Sequence, residues 1–239
     1  MKTKDDMNTP NEMTSPKDMN TLNTLTNRRT YYQLILDRSG SMSSCMEETV
    51  SGVNSQIRRI KELAERFPEQ EIATSLCLFN HNISQVRDRV SAVMLDEISY
   101  ADYHPDGNTA LYDAIGLSVR RLQETIGREV ERNEASVVVV IFTDGYENAS
   151  RQFTHHTISS LISELELKGN WSFSYIGATL DAVDIAVHLN IKASNAAHYS
   201  VKNSMQEFNN VADRMDRYID MKGKGIISKD FLQNNDSDR

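Results

Sequence analysis

Three short stretches carry the residues able to do chemistry. Asp37-Arg38-Ser39-Gly40-Ser41 follows a short apolar run, Gly107-Asn108-Thr109 precedes a long amphipathic one, and Thr143-Asp144-Gly145 follows a run of valines. Asp37, Ser39, Ser41, Thr109 and Asp144 are all oxygen donors, with no His or Cys among them. Hard oxygen donors suit Mg²⁺ or Mn²⁺, and the lack of a soft ligand disfavours Zn²⁺ or copper. In a strand-to-helix turn, residues two apart aim side chains to the same side, and Gly40 is expected to let the backbone bend tightly between the two serines. The free N–H groups of the following helix then help to hold Asp37. Three hydroxyls and two carboxylates bring only two negative charges to a dication, so the expected ligand set is incomplete and one position stays open to an outside group.

Each motif has a plainer reading. Ser39 and Ser41 are residue types that cap helices, and Asp144-Gly145 is a common turn. The joint placement of all three after the right elements is what favours a metal. Asp37 as a phosphorylated nucleophile is the other chemical reading, weakened because the second Asp expected two positions on is Ser39. The glycine patterns that cradle nucleotide phosphates are missing. His155-His156 are adjacent and diverge on a helix, so a helix start capped by Thr154 is the better account of them. Arg38, Glu147 and Asn148 stand where they could rim the metal face and contact a partner, although Glu147 and Asn148 read equally well as an exposed loop.

The elements that must position these residues follow from hydrophobic periodicity. Tyr31 to Leu36 is a short buried strand, and Met46, Val50, Val53, Ile57, Ile60, Ala64 and Phe67 stripe a helix that ends before Pro68. Ile72 to Phe79 is a second strand, turned by Asn80-His81-Asn82 into a hairpin partner at Ile83 to Val86 that continues near Val90 to Leu95. Leu111, Ala114, Ile115, Ser118, Leu122 and Ile126 stripe another helix. Ser136 to Phe142 has no alternation, as in a central strand covered on both faces. A helix at Ile158 to Leu165, a strand at Trp171 to Ile176, a short helix at Ala182 to Leu189, an edge strand at His198 to Val201 and a last helix at Phe208 to Ile219 complete the reading. Strands alternating with helices predict a doubly wound, mostly parallel α/β sheet with helices on both faces.

The remainder of the composition narrows the class. The chain has 239 residues, with 26 basic and 34 acidic ones giving a net charge of −8. That is the wrong sign for a general nucleic-acid binder. No apolar run approaches the roughly 20 residues of a transmembrane helix. The N-terminus lacks a secretory pattern, and Cys45 and Cys77 read as buried thiols, so the expectation is a cytoplasmic protein without a membrane partner. Residues 1–29 are polar and low in complexity and are expected to be disordered, residues 30–221 to form one domain, and residues 222–239 a flexible tail. Between residues 31 and 221 there are 17 basic and 27 acidic side chains, so the expected domain is the acidic part.

The three motifs, in this order and spacing, resemble the von Willebrand factor type A domain with its metal-ion-dependent adhesion site. All five positions of that site are filled here by Asp37, Ser39, Ser41, Thr109 and Asp144. The resemblance spans about residues 30 to 220 and implies a six-stranded Rossmann-like sheet. It also implies that Ser39, Ser41 and Thr109 would bind the metal through their hydroxyls, with Asp37 and Asp144 acting mainly through metal-bound water. Family members commonly receive a partner's carboxylate at the open position. By this resemblance the chain is expected to be a non-enzymatic, monomeric binding module for a protein presenting Asp or Glu. The resemblance is closest to intracellular bacterial members, and the last helix would be a transmitter of site occupancy. A metal-dependent phosphoryl-transfer or hydrolytic enzyme is the alternative, with Asp37, Glu147 and His104 as candidate bases, and a metal-free scaffold is a third possibility.

Overall fold

The uninterrupted β-branched run forms the middle of a sheet, as its lack of alternation requires. A computed structural model describes residues 29–144, 146–177 and 179–198 together with Arg217 and Met221. Arg29, expected in the disordered leader, instead opens the first strand, while residues 1–28, the C-terminal tail, the last helix apart from Arg217 and the far end of the expected edge strand lie outside the described residues.

The strands are β1 (Arg29–Asp37), β2 (Glu71–Phe79), β3 (Ile83–Ser91), β4 (Ala135–Thr143), β5 (Trp171–Gly177) and β6 (Ala196–His198). They make one six-stranded sheet in the order β3-β2-β1-β4-β5-β6. All neighbours are parallel except β2 and β3. Helix α1 (Met46–Arg66) packs on one face, and α2 (Leu111–Glu131), α3 (His155–Lys168) and α4 (Ala182–His188) on the other. Alternate residues of the buried strands divide between these two cores. Leu34, Leu36, Val138, Val140 and Phe142 meet Val53, Ile57 and Ile60 of α1, whereas Ile35, Val137, Val139 and Ile141 meet Ile115, Val119 and Leu122 of α2. This is the mostly parallel α/β class anticipated from the periodicity.

Three local features differ from the sequence reading. Between β1 and α1 the chain makes a 3₁₀ turn, Gly40–Cys45, whose Met42 and Cys45 are buried. The helix itself begins at Met46, where the apolar stripe begins. Strand β3 stops at Ser91, and Ala92–Met94 form a 3₁₀ turn that drops Ala92 and Leu95 into the α1 core. Its pairing with β2 is also irregular, with register shifts and Arg89 at φ 48°. Strand β6 is observed at Ala196–His198, starting two residues before the expected position. By contrast α3 starts as anticipated: Thr154 and Thr157 form a reciprocal capping box, and His155 and His156 are exposed.

Two glycines of α2 separate packing from intrinsic helix preference. A Cβ on Gly116 would lie 2.6 Å from the Phe153 ring, whereas nothing lies within 4 Å of one on Gly127. Alanine is favoured over glycine inside a helix by roughly 0.5–1 kcal/mol. Urea unfolding should therefore show Gly127→Ala stabilising the protein by about that amount and Gly116→Ala destabilising it. Equal stabilisation by both would contradict the close packing of Phe153 on α2 at Gly116.

Candidate metal centre

The strand order places a break in direction between β1 and β4. Strand β1 leads away to β2 on one side and β4 to β5 on the other, and a crevice opens beyond the carboxyl ends of the two strands. Register puts Leu36 beside Phe142, so Asp37 emerges level with Thr143 and Asp144 follows at once. Parallel pairing therefore brings together two carboxylates separated by more than a hundred residues.

Their contacts form a continuous chain. The Thr143 hydroxyl donates to Asp37 Oδ2 at 2.6 Å and the Ser39 N–H to Asp37 Oδ1 at 2.6 Å. Ser39 Oγ lies 3.2 Å from Ser41 Oγ, and the Ser41 hydroxyl donates to Asp144 Oδ1 at 2.7 Å. Ser39 occupies the capping position of the 3₁₀ turn yet makes no side-chain cap. Its hydroxyl is directed at the cluster, so the capping explanation does not account for it. Gly40 does not have the positive φ that demands glycine. It donates its N–H to Gly107 O at 3.0 Å and so ties the first motif to the loop carrying Thr109.

Thr109 reaches the cluster through this backbone tie, with no side-chain hydrogen bond to the other four residues. It is buried, and its hydroxyl has no hydrogen-bond partner among the described residues. Its N–H donates to Asn148 Oδ1 at 2.9 Å, and its carbonyl accepts from the N–H groups of Asn148 and Ala149. Gly107 supports the same loop at φ 74°, with His81 packed so closely that a Cβ would come within 2.2 Å of its ring. Only glycine satisfies both conditions there.

Sequence reasoning missed Tyr103 and Asp113 as supporting residues, and placed Arg38, Glu147 and Asn148 on the rim without their structural roles. The buried Tyr103 donates its hydroxyl to the Asp37 carbonyl at 2.5 Å, anchoring the loop that precedes Gly107. Glu147 accepts from the N–H groups of Ala149, Ser150 and Tyr112 and from the Ser150 hydroxyl. Asp113 accepts from the N–H groups of Arg151, Gln152 and Phe153. Glu147 thus stitches the loop after Asp144 to the start of α2, and Asn148 holds Thr109. The signal available in the sequence was an acidic side chain at each end of a loop rich in backbone donors, a pattern too common to single out. Arg38 sends its N–H to Phe79 O and accepts from the Asp106 N–H, while its Nε is buried without a hydrogen bond among the described residues.

The electrostatics of the cluster are unbalanced. Burial pushes the Asp37 carboxyl up from 3.8 to about 6, against the hydrogen bonds from Thr143 and Ser39, with the Asp144 charge adding to the rise. Asp144 is also raised, by burial, against the Ser41 hydrogen bond. Neither carboxylate has an ion-pair partner among the described residues, where the ion pairs lie elsewhere on the surface. Hydroxyl and carboxylate oxygens gathered without a counter-charge fit a hard divalent cation. Among the described residues no three His, Cys, Asp or Glu side chains gather as a metal site, so such a cation would depend on the hydroxyls.

A doubly wound sheet with a hydroxyl and carboxylate cluster at its switch point defines an α/β domain built to present a ligand site on its loops. The signature of the von Willebrand factor type A domain matches residues 33–214, and the chain belongs to that family. No curated protein sequence matches it. Proximal thread matrix protein 1 from the mussel byssus, with a zinc-occupied MIDAS motif, aligns at TM-score 0.53 and 16% identity over 79% of this chain and 46% of that one. Manganese-loaded TRAP protein of Plasmodium vivax aligns at TM-score 0.53 and 15% identity, covering 76% and 72% of the two chains. The PilB minor pilin of Streptococcus sanguinis aligns at TM-score 0.57 and 10% identity, covering 81% and 62%. The chain spans a little under half the length of the byssus protein. At these identities the likeness is one of fold.

The imbalance has a measurable sign in chelator. An acid whose folded-state pKa is raised makes its stabilising contribution below the unfolded value and loses it as pH rises through the folded value. For Asp37 that window runs from about 4 to about 6, and the full displacement corresponds to at most about 3 kcal/mol. In EDTA at pH 7.5, Asp37→Asn should melt several degrees above wild type, with the gap closing near pH 4. A variant less stable than wild type at both pH values would show that the buried charge is not a burden.

Proposed function

We propose that this chain is a divalent-metal-dependent interaction module that docks an Asp or Glu side chain of a partner protein. The observation that carries the reading is the hydroxyl and carboxylate chain from Asp37 through Ser39 and Ser41 to Asp144, half-closed against solvent and without a basic side chain. Ser39, Ser41 and Thr109 would hold Mg²⁺, or Mn²⁺, through their hydroxyls, and Asp37 and Asp144 through intervening water. The metal would supply an electrophilic position able to accept a carboxylate oxygen. Zinc and manganese in the related folds support a divalent ion in this family's site, and the hard donor set favours Mg²⁺ here. The protein's own residues do the positioning. Thr143 and the Ser39 N–H fix Asp37, Asn148 fixes Thr109, and Tyr103 sets the path of the loop between them.

The enzymatic alternative finds less support, because the candidate bases are committed elsewhere. Both oxygens of Asp37 and both of Glu147 accept hydrogen bonds, and His104 is exposed on the loop beyond Tyr103. No described helix is long and apolar enough to cross a membrane. Cys45 and Cys77 are buried and form no disulfide with each other, which suits the reducing cytoplasmic setting proposed for this chain.

Calorimetry should detect one divalent ion binding to wild type, with affinity reduced at least about tenfold in Asp144→Ala through loss of a charged ligand. Wild-type protein that takes up neither Mg²⁺ nor Mn²⁺ would overturn the proposal. A partner captured by wild type in Mg²⁺ should be released by EDTA and be missing from Ser39→Ala plus Ser41→Ala. Retention by the double variant would place binding elsewhere.

A further inference from the structure

We propose that the polar cleft beside Thr109 holds the partner's polypeptide in extended form and selects a second acidic residue, which meets the Arg151 guanidinium. This rests on the metal-dependent docking reading and deepens it by specifying the ligand. The cleft has a volume of about 930 Å³ and opens between the Asn80-His81-Asn82 turn, the Gly107-Asn108 turn and residues 148–152. It begins at the metal-site loop itself, since Gly107 and Asn108 lead directly into Thr109 and Asn148 holds the Thr109 N–H.

The lining is unusual for this protein. Asn82, Asn108, Arg151 and Gln152 line the cleft, and none of their side chains has a hydrogen-bond or ion-pair partner among the described residues. Asp113, the carboxylate on the lining, is buried and accepts three backbone N–H groups, which partly offset its charge. An acidic domain therefore carries, next to its metal-site loops, a groove whose exposed charged side chain is the unpaired Arg151, with His81 nearby and its one lining carboxylate, Asp113, buried. Charge complementarity points to an acidic ligand. The carboxamides add a donor and an acceptor in one plane, which matches the alternating N–H and C=O groups of an extended chain. A saccharide would call for flat aromatic faces to stack on, and no Trp, Tyr or Phe lines the cleft.

The distance also constrains the ligand. Asn148 and Arg151 are three residues apart, a chain length of at most about 10 Å. A ligand running from the Asn148 end of the cleft toward Arg151 thus needs its second acid only a few residues from the first.

The test uses two blocked hexapeptides, Gly-Glu-Gly-Gly-Glu-Gly and Gly-Glu-Gly-Gly-Gln-Gly, titrated into the ¹⁵N-labelled full chain in saturating Mg²⁺. The side-chain amide signals of Asn82, Asn108 and Gln152 and the Arg151 Nε–H signal should move with the diacidic peptide. That peptide should bind about threefold to fivefold more tightly than the monoacidic one, as expected for one exposed ion pair. The difference should disappear in Arg151→Gln and shrink in about 0.5 M NaCl. Signals outside the cleft report that the variant remains folded. Magnesium-dependent binding of both peptides with equal affinity overturns the cleft assignment and leaves metal docking standing. A preference that survives in Arg151→Gln also overturns it. Binding of neither peptide, with or without Mg²⁺, overturns both. Cleft signals that respond to neutral maltohexaose and not to the peptides would replace the peptide with a saccharide.

Discussion

Two carboxylates are held side by side at the ends of adjacent parallel strands, in a pocket that gives them hydroxyls and N–H groups but no positive charge. That uncompensated negative charge is the constraint to which the surrounding loops answer. Water would relieve it, yet Asp37 is buried under its own turn and under Tyr103. Hydrogen bonds from Thr143 and Ser39 relieve part of it, and burial still dominates the Asp37 carboxyl. Proton uptake by Asp37 or a bound divalent ion would each settle the balance, and the hard oxygen donors around it fit such an ion.

Keeping such a cluster assembled requires the loops to be rigid, and the rigidity comes from carboxylates used as backbone acceptors. Glu147 and Asp113 between them receive six N–H groups and one hydroxyl from the loop after Asp144 and the first turn of α2, and the Asp113 N–H itself goes to Ser150 Oγ. Charged acceptors make stronger hydrogen bonds than neutral ones. A loop held this way supports both Thr109 and the cleft beyond it without a strand or helix of its own.

Much of the architecture was legible in the sequence because it follows from periodicity. The central valines announce a strand covered on both faces, and the three-and-four spacing of Val50, Val53, Ile57 and Ile60 announces the helix that covers one of them. The oxygen-donor motifs were legible as motifs because each sits just past a recognisable element. Three things were not. The 3₁₀ turn at Gly40–Cys45 depends on Met42 and Cys45 finding room beneath the sheet, a tertiary matter. The role of Gly40 is set by Gly107, far along the chain, and not by its own φ. Tyr103 and Asp113 act on partners 38 to 66 positions away, and Glu147, though placed on the rim, also reaches the Tyr112 N–H 35 positions back, which no local spacing encodes.

The irregular outer strand β3 limits how this molecule can meet others. Its ladder with β2 slips register, Arg89 takes a left-handed conformation, and Asp88 is clamped between Arg89 and Arg121. Unpaired strand margins recruit foreign strands, and twist together with charge is how native sheets discourage it. That flank is thereby made unreceptive to lateral zippering, so growth of the sheet by a foreign strand is discouraged on the β3 side.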